Sequence, residues 1–431
     1  MIKPKKVLII TYYWPPAGGP GVQRWLKFAK YLPENNWEPL IYTPENPSYP
    51  LWDESLIQEV PKDLKILKNK IWEPYRFAEK LNKKNKKFKS GQFDIGKNQS
   101  WKSKLSIFIR GNFFIPDARK FWVRPSIAFL KKYLQNHPVD VIVTTGPPHS
   151  LHLIGRGLKK QFPNLKWIAD FRDPWTEISY YRYLKLTKWA DRQHHKLEQE
   201  VFYKADITLA TSFRDAENFR NKGANAHCIT NGFDREKLPE GKPKNSKFIL
   251  SYIGVLEQLR NPENLWKVLV ELVEENSDFA EHFELRFAGR LDDKILETLM
   301  DSRLKEGLKL LGYIPHEESV KEMEKSDILL ITNFPKQESS GIIPGKIFEY
   351  LATQNPILSI GPDKADVEKI LNETKAGQHF SYEDDKGIKS FILYHFNAWK
   401  SNTLSERSKN IMQFSRKNLS QKLASLLNSI V

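Results

Sequence analysis

A chain of 431 residues that is 40% hydrophobic and 28% charged has the composition of an ordinary globular protein and length for about two or three domains, each with its own core. Its single cysteine, Cys228, excludes an internal disulfide, and no stretch reads as a membrane span or a secretory signal, so a cytoplasmic protein is expected. The net charge of +16 calls for an anionic partner and leaves nucleic acid, acidic lipid and phosphorylated substrates open.

In chain order, the apolar run at residues 7–11 predicts a buried strand, and residues 22–31 a helix. Between them lies Pro15-Pro16-Ala17-Gly18-Gly19-Pro20-Gly21. Glycines here let backbone N–H groups approach a bound anion, or else serve a tight turn through their dihedrals alone. The spacing departs from G-x-G-x-x-G and no convincing acid ends the second strand, which argues against a dinucleotide-dependent dehydrogenase. Strands at 40–43 and 64–67 follow. A polar stretch then carries Lys83, Lys84, Lys86, Lys87, Lys89, Lys97, Lys102 and Lys104, and next to it stand Leu105, Ile107, Phe108, Ile109, Phe113 and Phe114. This is either a solvated loop beside a core segment or a patch for an anionic membrane surface, each cation adding roughly 1 kcal/mol near acidic lipid.

A helix at 125–135 leads to a strand at 139–144 that ends in Thr145-Gly146-Pro147-Pro148-His149-Ser150, so His149 tops the sheet. It is a candidate ligand-contacting imidazole or, alternatively, a capping or packed histidine; His152, in the helix at 151–161, reads as structural. The strand at 167–170 runs into Ala169-Asp170-Phe171-Arg172-Asp173-Pro174-Trp175. Asp170, Arg172 and Asp173 form either a salt bridge bracing the loop or an acceptor-hydroxyl partner oriented by Arg172. For an inverting reaction Asp173 is the first candidate base and His149 the second. His194 and His195, in the long helix at 186–204, read as a solvated face without a metal-ligand pattern. Strands at 207–210 and 226–229 close this half, and a linker is expected at 239–246, where Gly, Pro, Lys and Asn accumulate.

The alternation then restarts, with strands at 248–253, 283–288, 308–311, 328–331 and 356–360 and helices at 262–275, 292–306, 317–326, 345–353 and 365–371, the pattern of a second mostly parallel sheet. Strand ends carry Gly254 with Arg260 after it, Gly289 with Arg290, and Gly312-Tyr313-Ile314. The segment Ser340-Gly341-Ile342-Ile343-Pro344-Gly345-Lys346-Ile347-Phe348-Glu349 puts Lys346 and Glu349 on one face of a helix start. A diphosphate wants the cation and the helix N-terminus, and a ribose diol wants the carboxylate.

From Lys6 to about Leu371 the chain resembles the retaining glycosyltransferases of family 4, through the glycine loop, the Thr145–Ser150 and Ala169–Trp175 segments and the Pro344–Ala352 block. The resemblance implies a GT-B fold: α/β, two doubly wound Rossmann-like domains facing across a cleft, with a C-terminal helix returning to the first. Domains are expected at 1–235, with a basic and aromatic insertion near 80–116, and at 236–395, with a helical tail at 396–431. With the readings above, the expected donor site is Gly18, Gly19, Arg260, Arg290, Ile314, Ser340, Gly341, Lys346 and Glu349, the candidate catalytic residues are His149, Asp173, Arg172 and Asp170, and no metal or cofactor is expected. Two departures stand out. Val255 occupies the place of an arginine in relatives, and Gly341 that of the first of two glutamates. The expected partners are a nucleotide-diphosphate sugar, a glycan or lipid-linked acceptor from cell-envelope synthesis and an anionic membrane surface. Alternatives are a nucleotide-sugar epimerase of the same fold, or a basic nucleic-acid-binding protein, against which the absence of any recognition motif speaks.

Overall fold

The structure is a computed structural model and describes residues 3–73, 101–178, 181–235, 237–239, 245–403 and 408–431. Lys83, Lys84, Lys86, Lys87, Lys89 and Lys97 lie outside the described residues. The chain divides into two compact units, Met1–Thr230 with Arg416–Val431, and Asn231–Ser415.

The first unit contains seven parallel strands, β1 (Lys5–Ile10), β2 (Trp37–Pro44), β3 (Lys65–Asn69), β4 (Val141–Gly146), β5 (Lys166–Phe171), β6 (Ile207–Ala210) and β7 (Ala226–Cys228). Their spatial order is β3-β2-β1-β4-β5-β6-β7. The order reverses direction at the β1/β4 pair, where Ile9 lies opposite Val143, so the crevice beyond the carboxyl ends of these strands is the natural ligand position of a doubly wound sheet. Central strands covered on both faces read as continuous apolar runs: Val7, Leu8, Ile9 and Ile10 are all fully buried. The helices are α1 (Pro20–Tyr31), α2 (Trp101–Phe113), α3 (Lys120–Asn136), α4 (Ser150–Gln161), α5 (Lys188–Lys204) and α6 (Phe213–Asn221). Helix α3 starts earlier than the predicted 125, and Pro125 sits inside it. Pro125 and Phe121, whose carbonyl loses its helical donor, are both exposed, so the helix continues with that bond missing on its solvent side.

The second unit contains β8 (Phe248–Ile253), β9 (Phe283–Ala288), β10 (Leu308–Leu310), β11 (Ile328–Thr332), β12 (Ile357–Ile360) and β13 (Gly377–Phe380), in the parallel order β10-β9-β8-β11-β12-β13. Its helices are α7 (Glu263–Glu275), α8 (Ser277–His282), α9 (Asp293–Met300), α10 (His316–Lys325), α11 (Lys346–Thr353), α12 (Asp366–Thr374) and α13 (Asp385–Ser401). The predicted helix at 292–306 stops at Met300, and residues Arg303–Gly307 form a separate 3-10 turn capped by the Ser302 hydroxyl. The last helix, α14 (Arg416–Asn428), packs on α1 and adds Leu419, Leu423, Ala424 and Leu427 to the first unit's core.

Candidate functional site

In the first unit, the glycine loop is held by its neighbours. Gly18 N–H donates to the Leu51 carbonyl (3.0 Å) and Asp53 N–H to the Pro16 carbonyl (2.8 Å). Gly19 takes φ 104° with open space where a side chain would stand, so glycine is required there by the backbone alone. At Gly21 a Cβ would meet the Arg172 guanidinium, which would have to move aside. The start of α1 has no side-chain cap, and Arg172, which lies against it, donates to the Pro147 carbonyl and leaves its buried Nε unpaired.

Asp170 is fully buried, and its two oxygens accept from Arg24 Nη2 (3.0 Å), Trp25 Nε1 (2.7 Å) and Thr145 Oγ1 (2.8 Å). Arg24 also donates to the carbonyls of Ile229 and Thr230. Asp170 is therefore a brace between β4, β5 and α1, fully buried and out of a substrate's reach, which favours the salt-bridge reading over the catalytic one. A buried carboxylate persists when it is paired with a cation and hydrogen-bonded, as here.

A cavity of about 360 Å³ lies beyond the ends of β4 and β5, lined by Tyr13, Arg119, His149, Asp173, Trp175 and His194 among others. His149 is 8% exposed, stacks on Trp175 with ring centres 5.1 Å apart, and has no partner on either ring nitrogen. Burial first, then the nearness of His152, Arg172 and His194, holds it well below the ordinary histidine range. It is neutral, with one donor and one acceptor to offer, which suits a hydroxyl. Asp173 reaches solvent at the cavity edge, yet the protein crowded around it raises its pKa against the opposing pull of Arg172.

His152 is fixed from behind. Trp167 Nε1 donates to Thr144 Oγ1 (2.9 Å), the same hydroxyl pairs with His152 Nδ1 (2.9 Å), and burial drops the histidine's pKa to about 3. This agrees with its structural reading. The solvated reading of His194 does not hold: it is buried, accepts from Trp175 Nε1 (3.0 Å) and sets the ring that His149 stacks on. The signal that separates it from its exposed neighbour His195 is helical spacing, since His194 shares a face with Ala190 and Val201.

In the second unit, three glycines at the ends of adjacent strands, Gly254, Gly289 and Gly312, all have positive φ. Gly254 N–H donates to Ala288 O (2.7 Å) and Gly289 N–H to Gly312 O (2.6 Å). Over this floor lies Lys346. Its Nζ is buried without a hydrogen-bond partner, 3.8 Å above the Tyr252 ring and close to Gly254. Burial and then the Arg260 charge, opposed by Glu349, bring its pKa down to about 7. Arg260 spends one nitrogen on the Val255 carbonyl (3.0 Å) and covers the Phe334 ring, with its Nε buried and unpaired. The structure thus brings Gly254, Arg260 and Lys346 together at the uncapped start of α11, beside which the space at Gly345 is open. An ammonium kept from water without an anion is the arrangement a diphosphate completes.

The other predicted donor residues divide. Glu349 stays partly exposed with His316 Nε2 3.8 Å away, and Ile314 is half-buried. The Ser340 hydroxyl is fully buried and donates to Gln337 O (2.7 Å). It ties its own loop and offers a ligand nothing, while Gly341 beside it is half-buried. The Arg290 side chain is exposed, and its carbonyl holds the 254–260 loop by accepting from Leu256 N–H (2.9 Å). Tyr252, beneath Lys346, was not singled out from the sequence, since its parity with Phe248 and Leu250 in β8 marks it only as core. Among the described residues no cluster of three or more His, Cys, Asp or Glu could hold a metal ion, and no helix is long and apolar enough to cross a membrane.

No protein-family model and no curated protein matches the sequence. Solved structures do. HepE of Anabaena, in complex with UDP-glucose, is 13% identical, with 98% of this chain and 99% of that chain covered and a TM-score of 0.56. TarM of S. aureus, in complex with fondaparinux, α-GlcNAc-glycerol and UDP, is 10% identical over 98% and 100%, TM-score 0.55. A Listeria monocytogenes protein provisionally described as a UDP-N-acetylglucosamine 2-epimerase is 12% identical over 99% and 96%, TM-score 0.54. The fold of this chain is the GT-B fold.

Proposed function

We propose that the chain is a nucleotide-sugar glycosyltransferase, transferring a sugar from a nucleoside diphosphate to a glycan or lipid-linked acceptor in cell-envelope synthesis. The observation that carries this reading is the buried, unpartnered Lys346 ammonium at the start of α11. Its natural occupant is the diphosphate, flanked by Arg260 and the helix N–H groups. Charge that gathers on the leaving diphosphate as the sugar–oxygen bond breaks would be stabilised by these fixed groups. Neutral His149 would hold a sugar hydroxyl, and Asp173 with Arg172 would face the acceptor. We read the reaction as retaining, with the departing phosphate oxygen taking the acceptor proton, and as needing no metal or cofactor. The family 4 likeness in the sequence and the UDP-bound HepE and TarM support this reading.

The test is a thermal-shift series with UDP, GDP, UMP and UDP-sugars on wild type and Lys346→Met. One diphosphate at about 100 times its dissociation constant should stabilise the wild type by about 2.7 kcal/mol. Losing one charge-assisted contact, about 1.5–3 kcal/mol, should weaken binding by roughly 10- to 150-fold. Equal shifts in both proteins, or none with any diphosphate, would end the proposal. The likeness to the Listeria protein keeps an epimerase as second reading. Incubation of the bound nucleotide sugar without acceptor separates the two, because an epimerase yields an isomer and a transferase does not.

A further inference from the structure

Helix α2 carries its apolar stripe on the wrong side for a core. Trp101, Leu105, Phe108, Ile109 and Phe113 recur at helical spacing and are 68%, 47%, 37%, 39% and 64% exposed, while Ile107, on the opposite face, is the buried one. Beside the stripe a groove of about 460 Å³ is walled by Phe108, Phe113, Ile115 and Leu197, with Trp189 of α5, itself 63% exposed. A contiguous exposed apolar face of this kind marks an interaction surface.

Charge says what covers it. In sequence, the 24 residues from 81 to 104 that lead into and open this helix hold eight lysines against one acid, Asp94. Next in sequence to the groove residues Thr187, Trp189 and Gln193, Lys188 and Arg192 are exposed, as is Lys185. Lys120 lies in the groove, its ammonium donating to the Phe113 carbonyl (2.6 Å). Two acids close in sequence, Asp117 and Asp191, hold other partners. Asp117 accepts from the Ser150 N–H and hydroxyl (2.9 and 2.8 Å), and Asp191 accepts from the Tyr181 hydroxyl (2.9 Å). A tryptophan-rich apolar stripe edged by cations is the chemistry of a helix lying in the headgroup region of a bilayer.

We infer that the outward face of α2, with the first turn of α5, seats on an anionic lipid bilayer. The opposite side of the same helix supplies Arg110 and Gly111 to the cavity under His149, so a surface seated on α2 lies one helix away from that cavity. The inference is independent of the nucleotide reading.

The test is flotation of the full chain with vesicles of phosphatidylcholine containing 30% phosphatidylglycerol, and with phosphatidylcholine alone. Wild type should float with the acidic vesicles only, and 0.5 M NaCl should release it, since screening at that strength shortens electrostatic reach to a few ångströms. Trp101→Ser, Phe113→Ser and Trp189→Ser combined should lower partitioning by more than about tenfold. Lys188→Gln should lower it about fivefold. The triple variant should keep the wild-type melting temperature and nucleotide response, so that loss of binding is not loss of folding. Wild type left at the bottom of the gradient, or a folded triple variant that floats equally, would overturn the inference. So would a wild-type dimer in light scattering that the triple variant turns into a monomer, because a second copy would then cover the face. Flotation without any nucleotide shift would remove the donor reading and leave this one standing.

Discussion

Lys346 is the residue whose environment makes the sharpest statement about solution behaviour. With a pKa near 7 in the folded chain and about 10.4 when unfolded, it binds fewer protons folded than unfolded between those values. Stability without ligand should therefore rise with pH through that window, opposite in sign to a lysine with a carboxylate partner. A diphosphate against the ammonium reverses the shift, so binding above pH 7 must take up a proton. At pH 8 the uptake should approach about 0.9 proton per site, and affinity should fall as pH rises further. Calorimetry of UDP binding in phosphate and Tris buffers measures this directly. Zero uptake, or the same uptake in Lys346→Met, would contradict it. The sequence made Lys346 legible through its place after Pro344-Gly345, but not its desolvation, which comes from Tyr252 and Gly254, far away in the chain. Asp170 shows the converse. From sequence a brace and an acceptor partner were equal readings, and only the positions of Arg24, Trp25 and Thr145 decided between them.

At the scale of elements, the glycines closing β8 and β9 are what allow the floor under Lys346. A Cβ on Gly289 would collide with the Gly254 carbonyl, a backbone group that cannot swing away, and φ 119° is strained for any other residue. Gly289→Ala should cost about 2–5 kcal/mol, summing backbone strain and overpacking. At Gly312 no atom lies within 4 Å and φ is 64°, so Gly312→Ala should cost only about 1–2 kcal/mol. Gly345 has open space too, and a helical φ of −56°. Gly345→Ala should be neutral or stabilising by up to about 1 kcal/mol while obstructing a ligand at α11. Urea denaturation of the three variants orders them, and equal costs at 289 and 312 would refute the packing argument. Strands rich in apolar residues were legible, β6 to the residue. β13 was not, because Gly377-Gln378-His379-Phe380 has no apolar alternation and is a strand only through its parallel pairing with β12. At Gly377 a Cβ would strike the Ile357 backbone, so the missing side chain that hides the strand from pattern reading is also what lets it pair.

For the whole molecule, alternation of strands and helices was enough to read two doubly wound sheets, because parallel strands buried on both faces leave a pattern that few architectures share. Chain order misleads about the end. Residues 396–431 were expected as one helical tail, yet α13 runs on to Ser401 within the second unit, and α14 from Arg416 belongs to the first. Removing residues 416–431 therefore tests which unit owns them. Leu419, Leu423, Ala424 and Leu427 are at most 3% exposed, packed with the core that Trp25 and Leu26 of α1 enter. Burying three leucines is worth about 1.5–3 kcal/mol each. Truncation should thus cost the first unit more than about 4 kcal/mol and leave the second, adjacent in sequence, unaffected. Hydrogen exchange resolves the two, since amides of α1 and β1 should lose protection while those of β8, β11 and α11 keep theirs. Lost protection in β8, or unchanged protection in α1, would mean that the last helix stabilises something other than the core it completes.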